Sequence, residues 1–170
     1  MQTSMRRFVK RKTVELEFSC GDETMLSCGS GGRSYLGDLH YATPYAVRQE
    51  AIAGEIDRYI RTADFLTVTN GYLLSAEEVQ IRFIIKNLMY YRGLDTAEYE
   101  QRFGKEPDRT LFREFTDRGW IEEKNRVLLL TEEGMAYSDY IGQSFVSPAV
   151  RRLMSEYISV SYTHLRAHET

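Results

Sequence analysis

The clearest pattern of hydrophobic and polar positions lies in the second half of the chain, where it has the period of a helix. Apolar side chains recur at helical spacing at Val79, Ile81, Ile84, Ile85, Leu88 and Met89. The preceding Ser75-Ala76-Glu77-Glu78 has the form of a capping box, in which Ser75 accepts from a backbone N–H and Glu78 reaches back. The pattern therefore predicts a helix that begins after Ser75 and is ended by Gly93.

Two shorter helices are predicted next. Asp95 can cap a helix that stops at Gly104, and Asp108 can cap another that is closed by Gly119. An aspartate before the first turn accepts backbone N–H groups that have no partner within the helix. A glycine after the last turn can adopt the left-handed conformation that ends it.

A hairpin and a last helix complete this half of the chain. The stretch WIEEKNRVLLLT alternates around residues 123–126, and Thr131-Glu132-Glu133 opens a helix towards Phe145. Three helices, a hairpin and a helix make the pattern of a winged-helix domain. We place the start of this domain near the turn at Asn70-Gly71.

The first half has weaker patterns. Basic and apolar residues alternate over residues 1–17 and predict one or two strands, with inward positions at Met5, Phe8, Val14, Leu16 and Phe18. The turn CGDE and the short buried-strand candidate MLSCG then lead into a glycine-rich loop. Pro44 can open a helix that runs to about Arg61, with Val47, Ile52, Ile56, Tyr59 and Ile60 at near-helical spacing.

Composition narrows the class of protein. The 170 residues are 42% hydrophobic and 28% charged, which fits a folded globular chain of one domain or two small ones. A net charge of -3 argues against a general affinity for nucleic acid or anionic lipid. No apolar run approaches the length that spans a bilayer, and the first residues lack the apolar stretch of a secretory signal. We therefore expect a cytoplasmic protein whose partners are selected by a site.

Cysteine and histidine give no metal site. Cys20 and Cys28 are too few for a four-ligand zinc or iron–sulfur centre, and they do not form a C-x-x-C pair. His164 and His168 are four residues apart and would share one face of a helix. However, SYTHLRAHET resembles translated sequencing-adaptor read-through, so residues 158–170 are expected to be a non-native tail.

The winged-helix pattern raises the alternative of a free-standing module that binds DNA or another protein, with residues 109–118 as its recognition helix. Residues 70–146 hold fourteen acidic and ten basic residues, and the helix mixes Arg109 and Arg113 with Glu114 and Asp117. Binding to phosphates requires a clustered positive face. We therefore expect no nucleic-acid partner, and a role in protein packing or as a lid.

Three interpretations compete for the glycine-rich stretch CGSGGRSYLGDLHY. It matches neither the phosphate-binding spacing G-x-x-x-x-G-K-[ST] nor G-x-G-x-x-G. Cys28, Asp38 and His40 carry metal-ligating atoms, but nothing orders them at ligand spacing. The remaining interpretation is a glycine turn at a strand end that lets a ligand approach the backbone, with Arg33 and Ser34 as polar handles.

The order of these features resembles the C-terminal part of the oxygen-independent coproporphyrinogen III oxidase-like radical S-adenosylmethionine (radical SAM) family. QTSMRRF is similar to the family's late barrel strand, and CGSGGRSY to its strand and loop rich in glycine, alanine and serine. NGYLLSAEEVQIRFIIKNL, GLDTAEYEQRFG and DRGWIEEKNRVLLLTEEGMAYSDYI resemble the family's C-terminal helical domain. The resemblance covers residues 1–157 and is strongest for members with an Arg-Ser-Tyr loop.

The resemblance implies an α/β plus α+β architecture. Residues 1–70 would be the last strands of a partial (β/α) barrel with a connecting helix, and residues 71–157 a winged-helix-like domain. The parent protein would bind S-adenosylmethionine and a [4Fe–4S] cluster and act on a small molecule, such as a tetrapyrrole. Gly31, Gly32, Arg33 and Ser34 would lie near cofactor or substrate, where Arg33 would hold a carboxylate.

The sequence departs from the family pattern in two respects. It lacks the cluster-binding C-x-x-x-C-x-x-C motif, and Cys20 and Cys28 cannot replace that motif in number or spacing. It also has Gly-Arg-Ser where many relatives have a small or aliphatic residue in the loop. The chain is therefore expected to be a C-terminal fragment that has no catalytic residue of its own and is inactive alone.

Overall fold

The structure is a computed structural model and describes residues 2–4, 7, 8, 10, 24–46 and 48–155. The expectations for Met5, Val14, Leu16, Phe18, Cys20, Val47, the CGDE turn and residues 156–170 lie outside these residues. The chain divides into two compact units. The first unit contains residues 13–80, and the second unit contains residues 1–12 and 81–170. We describe each unit by itself.

Two short strands begin the chain. The strands β1 (Gln2–Ser4) and β2 (Arg7–Phe8) pair antiparallel, which agrees with the strands predicted there. Ser4 also forms a β-bridge with Tyr90. The expected inward position of Phe8 is wrong, because its side chain is 72% exposed.

The unit of residues 13–80 contains a three-stranded antiparallel sheet and a helix. The strands β3 (Arg33–Leu36), β4 (Leu39–Ala42) and β5 (Gly71–Leu73) lie in the order β3-β4-β5, and α1 (Gln49–Ile60) precedes β5 in the chain. The first two strands are joined by Gly37-Asp38, where Gly37 has φ 64°. Two-residue hairpins favour glycine at this position because their turn requires positive φ.

Several sequence predictions for this unit are wrong. In the expected buried strand MLSCG, only Met25 pairs, with Tyr35, and Leu26 is 65% exposed. The helix begins at Gln49 and not at Pro44, and the N-cap residue Arg48 makes no side-chain capping bond. Residues 33–36 were expected to form a ligand-approach loop, but they form a strand.

No parallel strand pair occurs among the described residues, since all their strand pairs and both isolated bridges are antiparallel. A (β/α) barrel is built from parallel strands. The expected last strands of a barrel are therefore not confirmed in the part of the chain that the structure describes. No helix in that part is both long and apolar enough to cross a membrane.

The capping box is confirmed at the start of α2 (Ala76–Leu88). The backbone N–H of Glu78 donates to the Ser75 hydroxyl at 3.2 Å, and the Ser75 N–H donates to the Glu78 carboxylate at 2.8 Å. The same carboxylate accepts from the Tyr72 hydroxyl at 2.7 Å, which raises the pKa of Tyr72 above its ordinary value of 10.0. The helix ends at Leu88, five residues before Gly93, where its end was predicted.

The next two helices have the predicted caps. A short strand, β6 (Leu94–Asp95), leads into α3 (Thr96–Phe103), and Asp95 accepts from the N–H groups of residues 97 and 98 at 2.8 and 3.3 Å. Gly104 ends α3 with φ 70°. Asp108 caps a 3₁₀ helix (Arg109–Phe112), which continues as α4 (Arg113–Asp117) before Gly119 at φ 71°.

The predicted hairpin is confirmed. Its strands are β7 (Ile121–Lys124) and β8 (Val127–Leu130), and the sheet order is β6-β8-β7. The turn residues Asn125 and Arg126 have φ 53° and 66°, as the tightest hairpin turns require. Arg126 is held in this uncommon conformation because its carbonyl accepts from both the N–H and the hydroxyl of Thr96, each at 2.9 Å.

The last predicted helix is divided. Thr131 caps α5 (Glu132–Ala136), and α6 (Ser138–Ser144) follows after a break at Tyr137. Residues 148–155 are also helical. Beneath these elements lies a hydrophobic core of Phe83, Ile84, Leu88, Leu94, Tyr99, Phe112, Phe115, Trp120, Ile121, Leu128, Ile141 and Phe145. Burying these side chains supplies the main stabilisation of this unit.

Candidate functional site

The glycine-rich loop is held in shape by two side chains from other elements. Gly29 and Gly31 have φ 107° and 76°, conformations that a residue with a Cβ rarely adopts. The Thr43 hydroxyl donates to the Gly29 carbonyl at 2.7 Å and accepts from the Gly32 N–H at 3.1 Å. The Gly29 N–H donates to the Tyr59 hydroxyl of α1 at 2.8 Å. The loop backbone is thus tied both to the residue after β4 and to the helix.

The four expected site residues do not converge on one point. Gly31 packs close to Tyr45, since a Cβ added to it would lie 3.0 Å from the Tyr45 Cβ, and Gly32 lies similarly close to Ser27. Ser34 is 2% exposed, and its hydroxyl accepts from the Ser27 N–H at 3.0 Å. Ser34 therefore has a structural role in joining the loop to β3.

Arg33 lies on the other face of β3. Neighbouring residues of a strand point to opposite faces, and Arg33 is exposed whereas Ser34 is buried. Within the described residues, the Arg33 side chain makes no hydrogen bond or ion pair. Its guanidinium is therefore available to an external carboxylate, but no second binding group from Gly31, Gly32 or Ser34 lies beside it to define a pocket.

A cavity of about 550 Å³ lies next to the loop, on the side of α1. Its volume falls in the range of small-molecule sites. None of Gly31, Gly32, Arg33 and Ser34 lines it. It is lined by Ser27, Cys28, Tyr41, Ala42, Thr43, Pro44, Glu55, Arg58, Tyr59, Thr62, Asp64, Phe65, Thr67, Val68 and Thr69.

Aromatic rings and carboxylates give this cavity its chemistry. The rings of Tyr59 and Phe65 meet edge to face, with centroids 5.4 Å apart and planes at 61°. The Asp64 carboxylate accepts from the Thr67 hydroxyl at 2.6 Å and from the Leu66 N–H at 2.8 Å, and these bonds hold its pKa below the ordinary value of 3.8. Asp64 is consequently ionised at neutral pH.

The sequence interpretation missed most of this cavity. Asp64, Phe65 and Thr67 were assigned from the sequence to no helix, strand or site. The Asp-x-x-Thr spacing, at which the aspartate can accept from nearby backbone and hydroxyl groups, was the one local signal. The contact between Tyr59 and Gly29 joins residues 30 positions apart and has no local signal.

Cation–carboxylate pairs involve arginines of the helix proposed for nucleic acid in the alternative hypothesis and the arginine of the β7–β8 turn. Arg109 donates to the Glu123 carboxylate at 2.8 and 3.2 Å, and Arg118 lies 3.1 Å from Glu114. Arg126 pairs with Glu100 at 2.7 Å, which raises the pKa of that guanidinium. These exposed pairs contribute little stability, but each carboxylate offsets a charge that phosphate contact would need.

Metal-ligating side chains do not gather in the described residues, where no group of three or more histidine, cysteine, aspartate or glutamate side chains is placed to hold an ion. Cys28 is exposed and free. A [4Fe–4S] cluster bound through three or four thiolates therefore does not fit this chain.

Comparison with known protein families gives a match that begins in the unit of residues 13–80 and lies mostly in the other unit. Residues 74–137 match the sequence model of the HemN C-terminal domain family. No curated protein gives a significant match to the chain. The resemblance inferred from the sequence is thus confirmed for the helices and hairpin of residues 74–137, whereas QTSMRRF and CGSGGRSY, which also carried it, lie outside this match.

A solved structure of coproporphyrinogen III oxidase (HemN) from Escherichia coli, described as a radical SAM enzyme, has a similar fold, with a TM-score of 0.52 at 19% sequence identity. The match covers 74% of this chain and 29% of that chain. This chain therefore spans less than a third of the HemN structure, and at this identity the likeness concerns the fold.

Proposed function

We propose that this chain is the C-terminal part of a cytoplasmic radical SAM protein related to coproporphyrinogen III oxidase. The observation that carries the proposal is the match of residues 74–137 to the HemN C-terminal domain, in a chain whose fold also resembles HemN. Residues 71–157 would form its winged-helix-like domain and close one end of a barrel to which residues 1–70 contribute. In this role the domain positions substrate and excludes water.

The parent protein would bind S-adenosylmethionine and a [4Fe–4S] cluster, which together supply radical chemistry. The cluster ligands must come from outside this chain, because a cluster does not fit the cysteines that it has. The chain alone is therefore inactive in this proposal. The backbone of Gly31 and Gly32 would accept the close approach of a ligand, and Arg33 would bind a carboxylate such as those of a tetrapyrrole.

A DNA-binding role for the second unit has less support. Its arginines at positions 109, 118 and 126 lie against carboxylates, and residues 70–146 carry more acidic than basic side chains. An electrostatic footprint for phosphates requires the opposite balance.

The proposal is tested by the genomic reading frame that precedes Met1. We expect an in-frame C-x-x-x-C-x-x-C motif within the length of a barrel. The full-length protein, purified without oxygen, should then show iron–sulfur absorbance and cleave S-adenosylmethionine after reduction, whereas the present chain should do neither.

The Arg33→Ala variant of the full-length protein should keep the iron–sulfur absorbance and lose affinity for cofactor or substrate. The matched control is Arg48→Ala, which removes another exposed arginine of the same unit. An upstream frame of barrel length without the three cysteines would overturn the proposal.

A further inference from the structure

The aromatic corner beside α1 has a geometry that suits a positive charge. Tyr59 and Phe65 meet at 61°, and Tyr41 lines the same cavity. The face of an aromatic ring carries the negative part of its quadrupole and attracts cations within about 6 Å of its centre. Phe65 is 60% exposed, so its ring is accessible to an incoming molecule.

Some of the hydroxyl groups around this corner offer a ligand only lone pairs. Four of them donate their protons to protein acceptors: Ser27 to the Arg33 carbonyl, Thr43 to Gly29, Thr62 to Arg58 and Thr67 to Asp64. A hydroxyl that has donated its only proton can still accept. The lining therefore favours a ligand with polarised C–H or N–H groups over one that needs many donors.

The charged side chains of the lining also favour a cationic ligand. Glu55 and Arg58 form an ion pair, with both carboxylate oxygens 2.9 Å from the same guanidinium nitrogen. Asp64 is therefore the one charged side chain of the described lining that has no oppositely charged partner there. An anionic ligand would meet an uncompensated carboxylate, whereas a cation would be attracted by it.

We propose that the cavity lined by Tyr41, Tyr59, Asp64 and Phe65 binds a small quaternary ammonium cation, with its methyl groups against the rings and its charge facing Asp64. The alkyl groups would replace water on the aromatic surfaces, and the charge would be balanced by one carboxylate. The inference stands on the described geometry of residues 27–69 and does not rest on the proposed radical SAM function.

The test is a titration of the full 170-residue chain with choline, followed by ¹H–¹⁵N correlation spectra. We expect saturable shifts confined to amides of residues 27–28, 41–43 and 55–69, with a dissociation constant in the millimolar range. The matched neutral probe is 3,3-dimethyl-1-butanol, in which a carbon replaces the charged nitrogen. The neutral probe should bind at least about fivefold more weakly than choline, because it lacks the cation–π and charge interactions.

Two variants locate the interaction. Asp64→Asn keeps an oxygen that accepts from the Leu66 N–H, and Phe65→Leu keeps an apolar side chain. Both variants should therefore stay folded and give well-dispersed ¹H–¹⁵N spectra. Each should weaken choline binding about fivefold. Asp38→Asn, at the exposed turn between β3 and β4, is the control and should bind choline normally.

The proposal is overturned if choline gives no saturable shift in a well-dispersed spectrum. It is also overturned if the neutral probe binds equally well or if Asp38→Asn weakens binding as much as Asp64→Asn. Choline contains neither an adenosyl nor a tetrapyrrole group. A failure here therefore leaves the proposed radical SAM role untouched, and a missing cluster motif upstream would leave this site untouched.

Discussion

Gly134 is a residue at which the second unit is sensitive to one added methyl group. A Cβ at this position would lie 2.0 Å from the Trp120 carbonyl oxygen, far inside van der Waals contact. The Trp120 backbone cannot easily withdraw, since its carbonyl accepts from the Thr131 N–H at 3.0 Å and its ring stacks on Tyr137 at 4.4 Å. We expect Gly134→Ala to lower the free energy of unfolding by about 3 kcal/mol.

The matched control for Gly134 is Gly142, a glycine in the neighbouring helix α6. A Cβ there would meet Met89 at 3.8 Å, which is ordinary contact. Gly142→Ala should therefore be neutral or stabilise the protein by up to about 1 kcal/mol through helix propensity. Urea unfolding of both variants checks the difference. Equal stabilities would show that the Trp120 backbone yields without cost.

Residues that act on their immediate neighbours were predicted well from the sequence. Ser75, Asp95, Asp108 and Thr131 each cap the helix assigned to them, because a short polar side chain and the next two or three backbone N–H groups decide that contact. Arg33 and Ser34 were placed less well. Their role depends on strand pairing with β4, and the glycine-rich sequence around them does not indicate that pairing.

At the scale of elements, the 3₁₀ helix depends on the charge of its cap. The Asp108 carboxylate accepts from the Thr110 hydroxyl at 2.7 Å and from the Thr110 N–H at 2.9 Å. These bonds, with smaller contributions from the charges of Arg113 and Lys105, hold the pKa of Asp108 below the ordinary value of 3.8. A depressed pKa contributes stability above the unfolded-state pKa, and this stability is lost as pH falls through the lowered folded-state pKa.

We therefore expect Asp108→Asn to be less stable than the unsubstituted protein at pH 7, with the difference shrinking as the pH falls below 3.8. Asparagine keeps a capping oxygen but not the charge, so the variant isolates the titrating part of the cap. Urea unfolding at neutral and acid pH measures it. The matched control is Asp117→Asn, which removes an exposed carboxylate at the end of α4. A constant difference for Asp108→Asn would contradict the assignment.

Of two hairpins with two-residue turns, one was recognised from the sequence and the other was missed. Asn125-Arg126 gave the β7–β8 hairpin, because alternation on both sides pointed to two strands. Gly37-Asp38 joins β3 and β4 in the same way, with Leu36 opposite Leu39, yet the glycines before it favoured a ligand loop. Apart from the spacing of Asp64 and Thr67, the cavity beside α1 had no local signal, because it forms where segments far apart in the chain meet.

At the scale of the whole molecule, buried hydrophobic side chains are unevenly distributed. Those found among the described residues lie between Phe83 and Phe145. In residues 24–46 and 48–80, the buried side chains are the polar Ser34 and Glu78, while Ile52, Ile56 and Ile60 of α1 are 39%, 44% and 72% exposed. The apolar stripe of α1 was correctly read from its spacing, but spacing alone does not say whether a stripe is covered.

This distribution predicts two levels of protection in hydrogen exchange. The logarithm of an amide's protection against exchange rises with the free energy of the opening that exposes it. Openings cost least where few apolar contacts are broken. Peptides from residues 83–145 should therefore exchange orders of magnitude more slowly than those from residues 24–74. Leu88→Ala, in the core, should cost about 3 kcal/mol and speed exchange across residues 83–145, whereas Ile56→Ala should leave that segment unchanged. Equal protection in both segments would mean that residues 24–74 are stabilised by burial that the described side chains do not provide.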